Sequence, residues 1–310
     1  MASPDPSTDP RLAHRAQVRE FLSSRRARIT PERAGLPAYG GNRRVAGLRR
    51  EEVAMLAGVS VDYYVRMERG DLAGASDGVL DALANALQLD EAEREHLVAL
   101  AHAGQITAKA RRRRPGPLTV RPAVQQVLDA ITAAPAWVRN ARHDILAMNF
   151  TARALYSPVL ASPEAGVAGK RPANTTRFVY LDPAARDFFV DYDRIARDAA
   201  AMLRLEAGAN PHDTDLIALV GELSTRSELF RQHWAAHDVK FHRSGKKRLN
   251  HPAVGMLDLD FESVELPSEP GLRVNIYTAA ADTPTADGLK LLVSWAASRE
   301  PAARTGILEG

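Results

Sequence analysis

Apolar residues in the first third of the chain recur at helical spacing, and short polar or glycine-containing stretches interrupt them. The helical segments predicted from this spacing are residues 11–29, 48–57, 60–70, 76–87 and 90–101. Ser60, Ser76 and Asp90 stand where helix N-caps are expected. The pattern predicts an all-α domain of about five helices over residues 11–104.

Residues 122–297 combine helical and strand-like spacing. Helices are predicted at 122–131 and near 149–156, with a strand between them at 144–148. Apolar spacing from Asp182 to Ala207 predicts one long helix. Two further helices are predicted at 213–223 and 227–236.

Near the C-terminal end the apolar spacing changes to every second residue, which is typical of half-buried strands. One such strand runs through 257–261 and another through 272–277, with the turn sequence SEPG at 268–271 between them. These two strands should pair as a hairpin, and a last helix carries Leu289 and Leu292 on one face. This half is therefore predicted to be an α+β domain with an antiparallel sheet.

Composition separates the two halves. Four consecutive arginines followed by Pro115, Gly116 and Pro117 predict a linker over residues 105–121. Residues 1–10 and 298–310 are predicted to be tails. The chain has no apolar run long enough to span a bilayer, and its N-terminus lacks the apolar core of a signal peptide. We therefore expect a cytoplasmic protein that does not associate with a membrane.

Positive charge is concentrated near the N-terminus. The whole chain has a formal net charge of +3, but residues 11–69 contain 13 arginines against 6 acidic residues. A local excess of this kind attracts phosphate. A solvated basic face would give the same counts, so charge alone leaves both interpretations open. The chain has no cysteine, which excludes disulfides and thiolate metal sites.

The segment Gly47–Gly70 has the residues that a helix-turn-helix requires. Ala54 is small where two crossing helices touch, and Gly58 tolerates a positive φ in the turn. Val59, Tyr64 and Met67 are placed to anchor the second helix, which leaves Val61, Asp62, Tyr63, Val65 and Arg66 facing outward. This geometry would place the second helix in a major groove.

The AGVS turn and the closing MERG, Met67 to Gly70, resemble those of the XRE (lambda-repressor-like) helix-turn-helix family. The resemblance implies that Val61, Asp62 and Arg66 face base edges, where Val61 contacts a thymine methyl or makes no base contact. Asp62 would either accept from cytosine or orient Arg66. Tyr63 and Arg50 would reach base or backbone, and the other arginines would contact phosphate. The predicted DNA-contacting residues are Arg43, Arg44, Arg49, Arg50, Ser60, Val61, Asp62, Tyr63, Arg66 and Arg69.

A second resemblance covers most of residues 11–297. After the helix-turn-helix, the stretches DALANALQLDEAEREHL, RHDILAMNFTARALY, GKKRLNHPAVGMLDLDFESVEL and RVNIYTA are similar to MmyB-like regulators and their ligand-binding domain. The resemblance implies a PAS-like fold and a bound fatty acid or similar apolar small molecule. A twelve-carbon tail would gain roughly 10 kcal/mol from burial before the cost of ordering.

The residues predicted to bind this ligand are Trp137, Met148, Phe178, Phe188, Phe189, Tyr192, Trp234, His237, Arg243 and His251. Arg243, His251 and His237 are candidates for binding a carboxylate head group. Each of the aromatic residues taken singly is more typical of an ordinary hydrophobic core, and that alternative stays open at this point.

The sequence also bears on three other functions, namely metal binding, catalysis and protein binding. His233 and His237 have metal-ligand spacing on a helix, but only His242 or His251 could complete the site, so no metal is predicted. No catalytic motif is present, so an enzyme is not predicted and no catalytic residue is assigned. An adaptor whose second domain binds protein is the main alternative to a ligand sensor. As a helix-turn-helix protein the chain is expected to bind double-stranded DNA as a homodimer on a near-palindromic operator.

Overall fold

In the computed structural model, which describes residues 10–36, 45, 47–103, 119–166, 171–210, 213–240 and 243–299, the predicted N-terminal helices are confirmed. They are α1 (Pro10–Arg28), α2 (Arg50–Leu56), α3 (Val61–Glu68), α4 (Asp77–Ala86) and α5 (Glu91–Ala103). The predicted caps are confirmed as well. The Ser60 side chain accepts from the Tyr63 N–H at 3.2 Å, and Asp90 accepts from the Glu93 N–H at 2.9 Å.

The remaining elements are helices, except for five strands among the described residues. In chain order they are α6 (Pro122–Ala130), β1 (Ala136–Arg139), β2 (Ile145–Met148), α7 (Phe150–Leu155), α8 (Ser157–Ala161), α9 (Thr175–Leu181), α10 (Ala184–Phe188), α11 (Tyr192–Ala209), α12 (Thr214–Arg226), α13 (Glu228–Ala235), β3 (Ser244–His251), β4 (Gly255–Glu265), β5 (Arg273–Thr278) and α14 (Pro284–Arg299).

The strands form one antiparallel sheet in the order β2-β1-β5-β4-β3. The predicted hairpin is confirmed, since β4 and β5 pair directly with Phe261 opposite Tyr277. The predicted strand at 144–148 is confirmed as β2. The sheet with its helices makes this half of the chain an α+β fold, as predicted. Sequence periodicity did not predict β1 or β3.

The prediction of one helix from Asp182 to Ala207 is wrong. The structure ends α10 at Phe188 and begins α11 at Tyr192. Between them the backbone of Phe189 forms a β-bridge with Leu249, and the Val190 N–H donates to the Arg248 carbonyl at 3.2 Å. Hydrogen bonds to the edge strand β3 replace the bonds that a continuous helix would have made here.

The two faces of the sheet differ in character. The outer face carries Ala136, Val138 and Ala147, which pack with Val124 and Leu128 of α6. The inner face carries the alternate residues, because successive side chains of a strand point to opposite sides. Its buried members on β3 and β4 are Lys247, Leu249, His251, Leu257, Leu259, Phe261 and Ser263.

The structure divides into two units that do not follow the chain in two continuous stretches. The described residues of the first unit lie within 1–114, 200–218 and 231–241, and those of the second within 115–199, 219–230 and 242–310. The apolar core of the first unit includes Val18, Leu22, Val53 and Tyr64, and it also contains Val239 from the distant segment.

Most of the predicted linker and both tails lie outside the described residues. The domain limits 11–104 and 122–297 stay predictions. In the described part of the chain, no helix combines the length and apolar character that crossing a membrane requires.

Candidate functional site

The turn between α2 and α3 has the geometry expected of a helix-turn-helix. Gly58 has a φ of +64°, a left-handed conformation that favours glycine. Ala54 is fully buried, and its carbonyl accepts from the Val59 N–H at 3.0 Å, which closes the end of α2. The small residue and the glycine therefore occupy the positions that sequence analysis assigned to them.

The buried side of α3 fixes this helix to its unit through Tyr64, Met67 and Glu68. Glu68 is 1% exposed, and its carboxylate accepts from Arg26 Nε at 2.6 Å and from Arg50 Nε. The Tyr64 hydroxyl donates to the same carboxylate at 3.3 Å. Burial and the charge of Glu68 raise the pKa of Tyr64, so its hydroxyl stays protonated. These charge-assisted hydrogen bonds thus fix the buried side of α3 to its unit.

The opposite side of α3 is exposed. Ser60, Val61, Asp62, Arg66 and Arg69 all lie at the surface, and Tyr63 is half-buried beside them. We call these six residues the recognition surface. The helix is anchored on one side and open on the other, which is the arrangement that a helix entering a major groove requires.

Arg66 is held loosely at this surface. Its Nε lies 4.0 Å from the Asp71 carboxylate, its guanidinium lies 4.8 Å above the Tyr63 ring, and half of its side chain is exposed. Asp62 makes no ion pair in the described part of the chain. Arg66 is therefore oriented by Asp71 and Tyr63, and not by Asp62 as one of the sequence alternatives had it.

The remaining predicted DNA contacts lie before α3. Arg49 is exposed at the N-terminus of α2, and Arg50 keeps half of its side chain exposed while its Nε binds Glu68. Arg43 and Arg44 lie outside the described residues. The structure thus brings Arg49 and Arg50 to the same helix-turn-helix as the recognition surface, and the DNA contacts themselves stay predictions.

In the second unit, aromatic side chains gather against the inner face of the sheet. The Trp137 and Tyr156 rings lie 5.3 Å apart, and Phe188 lies 6.2 Å from Tyr156. Phe178 and Phe189 pack edge-on against Phe188 at 6.0 and 4.9 Å. All five are buried. We call them the aromatic cluster, and four of them are residues predicted to contact a ligand.

Polar atoms without partners lie on the same face. Trp137 Nε1, Asn275 Oδ1 and Ser263 Oγ are buried and have no hydrogen-bond partner among the described residues. Pairing places Asn275 opposite Trp137 on β1 and opposite Ser263 on β4, so the three form one row across the sheet. Buried polar groups are nearly always hydrogen-bonded, so this row is unusual for a closed core. It is suited to a polar ligand atom or ordered water.

Some of the residues predicted to bind the ligand lie together in the second unit, and others lie in the first unit. Met148 is buried directly opposite Trp137. Tyr192 lies at the start of α11, where its hydroxyl donates to the Val179 carbonyl at 3.0 Å. Trp234 and His237 belong to the first unit instead, where Arg204 stacks 4.1 Å above Trp234 and Arg25 donates to the His237 carbonyl.

The three candidates for binding a carboxylate are placed differently from one another. His251 is buried, its Nδ1 accepts from the Ala253 N–H at 3.1 Å, and its Nε2 lies 3.2 Å from the Ala154 carbonyl. Both of its ring nitrogens are therefore in use, and burial lowers its pKa, so it stays neutral. Arg243 is exposed just before β3, and His237 lies in the first unit.

A cation that sequence analysis missed lies on the inner face. Lys247 is 8% exposed, and its Nζ lies 5.6–5.8 Å from the ring centroids of Phe189, Phe261 and Tyr277. It donates to the Tyr277 hydroxyl at 3.3 Å, which in turn lies 2.6 Å from the Tyr156 hydroxyl. The signal available in the sequence was the spacing of Lys247, Leu249 and His251, which places lysine at an inward strand position.

Sequence analysis predicted neither a metal site nor the buried Lys247. Within the described ranges, no three histidine or acidic side chains converge as metal ligands would.

Both parts of the chain match models of known protein families. Residues 17–97 match a helix-turn-helix domain model, and residues 120–292 match the MmyB-like transcription regulator ligand binding domain. No curated protein gives a significant match. The second match covers more than half of the chain and contains the sheet with its inner face. The chain therefore belongs to the MmyB-like transcription regulators, as a helix-turn-helix protein that carries this family's ligand-binding domain.

Proposed function

We propose that this protein is a sequence-specific DNA-binding regulator whose ligand-binding domain takes up a fatty acid or similar apolar molecule that changes its affinity for DNA. The observation that carries the proposal is the recognition surface. It stands exposed on a helix whose other side is fixed by the buried Glu68 network.

On DNA, Arg66 would bind a guanine through O6 and N7, with Val61 and Asp62 beside it on the same helix turn. A bidentate contact of this kind contributes about 1–3 kcal/mol of discrimination between bases. Arg49 and Arg69 would contact phosphates, with Arg43 and Arg44, and would add affinity without selectivity. Tyr63 supports Arg66 by its ring.

The ligand would lie against the inner face of the sheet. The aromatic cluster supplies apolar surface for a tail, and the row of unpartnered polar atoms supports binding of a ligand with a polar end. The adaptor alternative gives no reason for a buried row of unpartnered polar atoms, whereas a bound ligand does. We propose no catalytic activity.

Helix α11 is the proposed route from ligand to DNA. It begins in the second unit, and from residue 200 onward it belongs to the first. In the first unit Leu205 packs against the apolar core, and Gly208 lies against His96 of α5. A ligand alters DNA affinity only if it binds one conformation or oligomer more tightly than another. A shift of α11 would supply that difference.

We further propose that the regulator acts in the cytoplasm as a homodimer on a near-palindromic operator. Two copies of the recognition surface would then read half-sites about one helical turn apart.

The test begins by selecting duplexes from a random library with the wild-type protein, which should yield a two-fold symmetric consensus. Affinity for that consensus is then measured with and without dodecanoic acid, for the wild type and for Arg66→Ala. We expect dodecanoic acid to change wild-type affinity and Arg66→Ala to bind consensus and scrambled DNA alike. Arg69→Ala is the control, and it should weaken binding to both duplexes equally. A consensus bound equally well by Arg66→Ala would refute the assignment of the recognition surface.

A further inference from the structure

Three residues from the distant segment of the first unit, His237, Asp238 and Val239, contact that unit and are here called the clasp. The Arg25 guanidinium donates to the His237 carbonyl, and Arg28 binds the Asp238 carboxylate. Val239 is 7% exposed and belongs to the apolar core of the unit. Since Arg25 and Arg28 lie in the last turn of α1, the clasp is attached at this end of the helix.

The clasp is held by few buried contacts. Among residues 231–240, all of which the structure describes, only Val239 is buried. The ion pair between Arg28 and Asp238 has both side chains almost half exposed, and ion pairs in contact with water contribute little to stability. By contrast, α5 places Leu97 fully inside the same core. Segments with little buried apolar surface open more often than the core to which they attach.

The backbone of the clasp is strained at His237. Its φ is +53°, in the left-handed region that glycine favours, and it lies just after α13, where glycine is the usual residue. Histidine supplies a side chain that glycine lacks, and its Nε2 lies 3.5 Å from the Glu20 carboxylate. Such a conformation persists only where neighbouring contacts hold it, which here come from Arg25 and Glu20.

Arg25 is the centre of this attachment. It is 2% exposed, its Nε lies 2.8 Å from the Glu93 carboxylate, and its Nη1 lies 3.9 Å from that of Asp238. A buried guanidinium needs both charge and hydrogen-bond partners. If the clasp opens, Arg25 loses Asp238 and the His237 carbonyl and keeps Glu93. Opening of the clasp therefore changes the contacts of α1.

Arg26, the next residue of α1, connects the same turn to the recognition helix. Its Nε donates to the Glu68 carboxylate at 2.6 Å, and its Nη1 donates to the Leu48 carbonyl at 2.9 Å. Glu68 lies on the buried side of α3. The last turn of α1 thus contacts the clasp through Arg25 and the helix-turn-helix through Arg26. A change in the position of this turn would move the residues that support α3.

We propose that the clasp opens and closes without unfolding of the first unit, and that only the closed clasp holds α1 where it supports DNA binding. This inference rests on the proposed function, because it requires the recognition surface to bind DNA. The clasp follows α13, whose residues 228–230 belong to the second unit, so a change in that unit reaches the clasp along the chain. Because coupling is reciprocal, DNA that binds the closed state must also reduce the open fraction of the clasp.

The absence of cysteine from the sequence allows a direct test, because one introduced cysteine is then the only thiol. Val239→Cys places it in the clasp, and Leu97→Cys places it in α5 within the same apolar core, as the matched control. Each full-length variant is labelled with the disulfide reagent DTNB, and its labelling rate is divided by the rate in the urea-unfolded protein. The ratio measures how often the site opens.

Val239→Cys should react at least about tenfold faster than Leu97→Cys, because the clasp opens locally whereas Leu97 is exposed only when the unit unfolds. The consensus duplex selected with the wild type should slow labelling of Val239→Cys at least about threefold. A scrambled duplex at the same concentration should leave that rate unchanged.

Asp238→Ala in the chain without cysteine provides an independent measurement, and it decides should Val239→Cys fail to fold. It removes the carboxylate that binds Arg28 and should weaken binding to the consensus duplex about three- to tenfold, although Asp238 is not among the predicted DNA contacts. Asp81→Ala removes an exposed acid on α4 and should bind the duplex like the wild type. A purely structural role of Asp238 would leave DNA affinity unchanged.

The outcomes separate the two proposals. The inference is overturned if Val239→Cys and Leu97→Cys are labelled equally, if the consensus duplex does not slow labelling of Val239→Cys, or if Asp238→Ala keeps wild-type affinity. The proposed function stands in each of these cases. If the wild type selects no consensus from the duplex library, the proposed function is refuted, and the inference with it.

Discussion

At the scale of single residues, Glu68 fixes the helix that carries the recognition surface. Its carboxylate lies beneath the recognition surface and binds Arg26, Arg50 and the Tyr64 hydroxyl. All three donors bind this one carboxylate, so its removal would take a hydrogen bond from each of them. The pattern Tyr64–Glu68 on α3 thus connects the core of the first unit to arginines near the predicted DNA contacts.

We predict that Glu68→Ala lowers the free energy of unfolding by about 3–5 kcal/mol, because it leaves Arg26 partly buried without its counter-ion. Urea unfolding followed by circular dichroism measures the change. Asp81→Ala, an exposed acid on α4, is the matched control and should stay within about 0.5 kcal/mol of the wild type. Equal effects of the two substitutions would contradict the role given to the network.

At the scale of elements, two glycines in neighbouring helices have opposite surroundings. A Cβ at Gly208 on α11 would clash with His96 Cε1. His96 is itself buried, and its ring centroid lies 4.9 Å from that of Phe21. A Cβ at Gly221 on α12 would meet nothing within 4 Å. The close approach of α11 to α5 therefore depends on glycine, whereas the glycine in α12 has no such role.

Gly208→Ala should destabilise the protein by about 1–3 kcal/mol, because His96 has little room to move. Gly221→Ala should stabilise it by about 0.5–1 kcal/mol, since alanine is the better helix former. Melting temperatures of the two variants provide the comparison. A stabilised Gly208→Ala would show that α11 does not pack on α5 as described.

At the scale of the whole molecule, both units contain histidines whose pKa is lowered by full or partial burial. In the first unit, burial followed by the charges of Arg204 and Arg25 lowers the pKa of His96 to about 3 and that of His237 to about 4. In the second unit, burial lowers the pKa of His143. Each of these groups takes up a proton more readily when the chain is unfolded.

The free energy of unfolding should therefore keep its full value above pH 6.5, the usual pKa of histidine. It should fall as the pH drops toward the lower pKa values that these histidines have in the folded protein. His96 alone contributes a loss of about 1.4 kcal/mol per pH unit in this window. Urea unfolding between pH 7.5 and 4.5 measures the slope. His96→Phe should reduce it, whereas His102→Gln, at an exposed position on α5, should not. An unchanged slope in His96→Phe would contradict the prediction.

Much of this molecule was determined by local sequence. Helical spacing placed α1 to α5, and the caps Ser60, Ser76 and Asp90 marked where the last three begin. Ala54 with Gly58 defined the turn. All of these depend on neighbours in the chain. Strand alternation predicted the β4–β5 hairpin for the same reason. The exposed positions of Val61, Asp62 and Arg66 followed directly from the helix period.

Only the tertiary structure decided the remainder. β3 went unrecognised because its inward positions include Lys247 and His251, whose polarity hides the alternation. The helix expected from Asp182 was broken by hydrogen bonds to that same strand. Trp234 and His237 joined the first unit, and Lys247 met Tyr277 and Tyr156, through contacts between residues far apart in sequence. Spacing along a chain fixes which side a residue faces, but only folding decides which partner it meets.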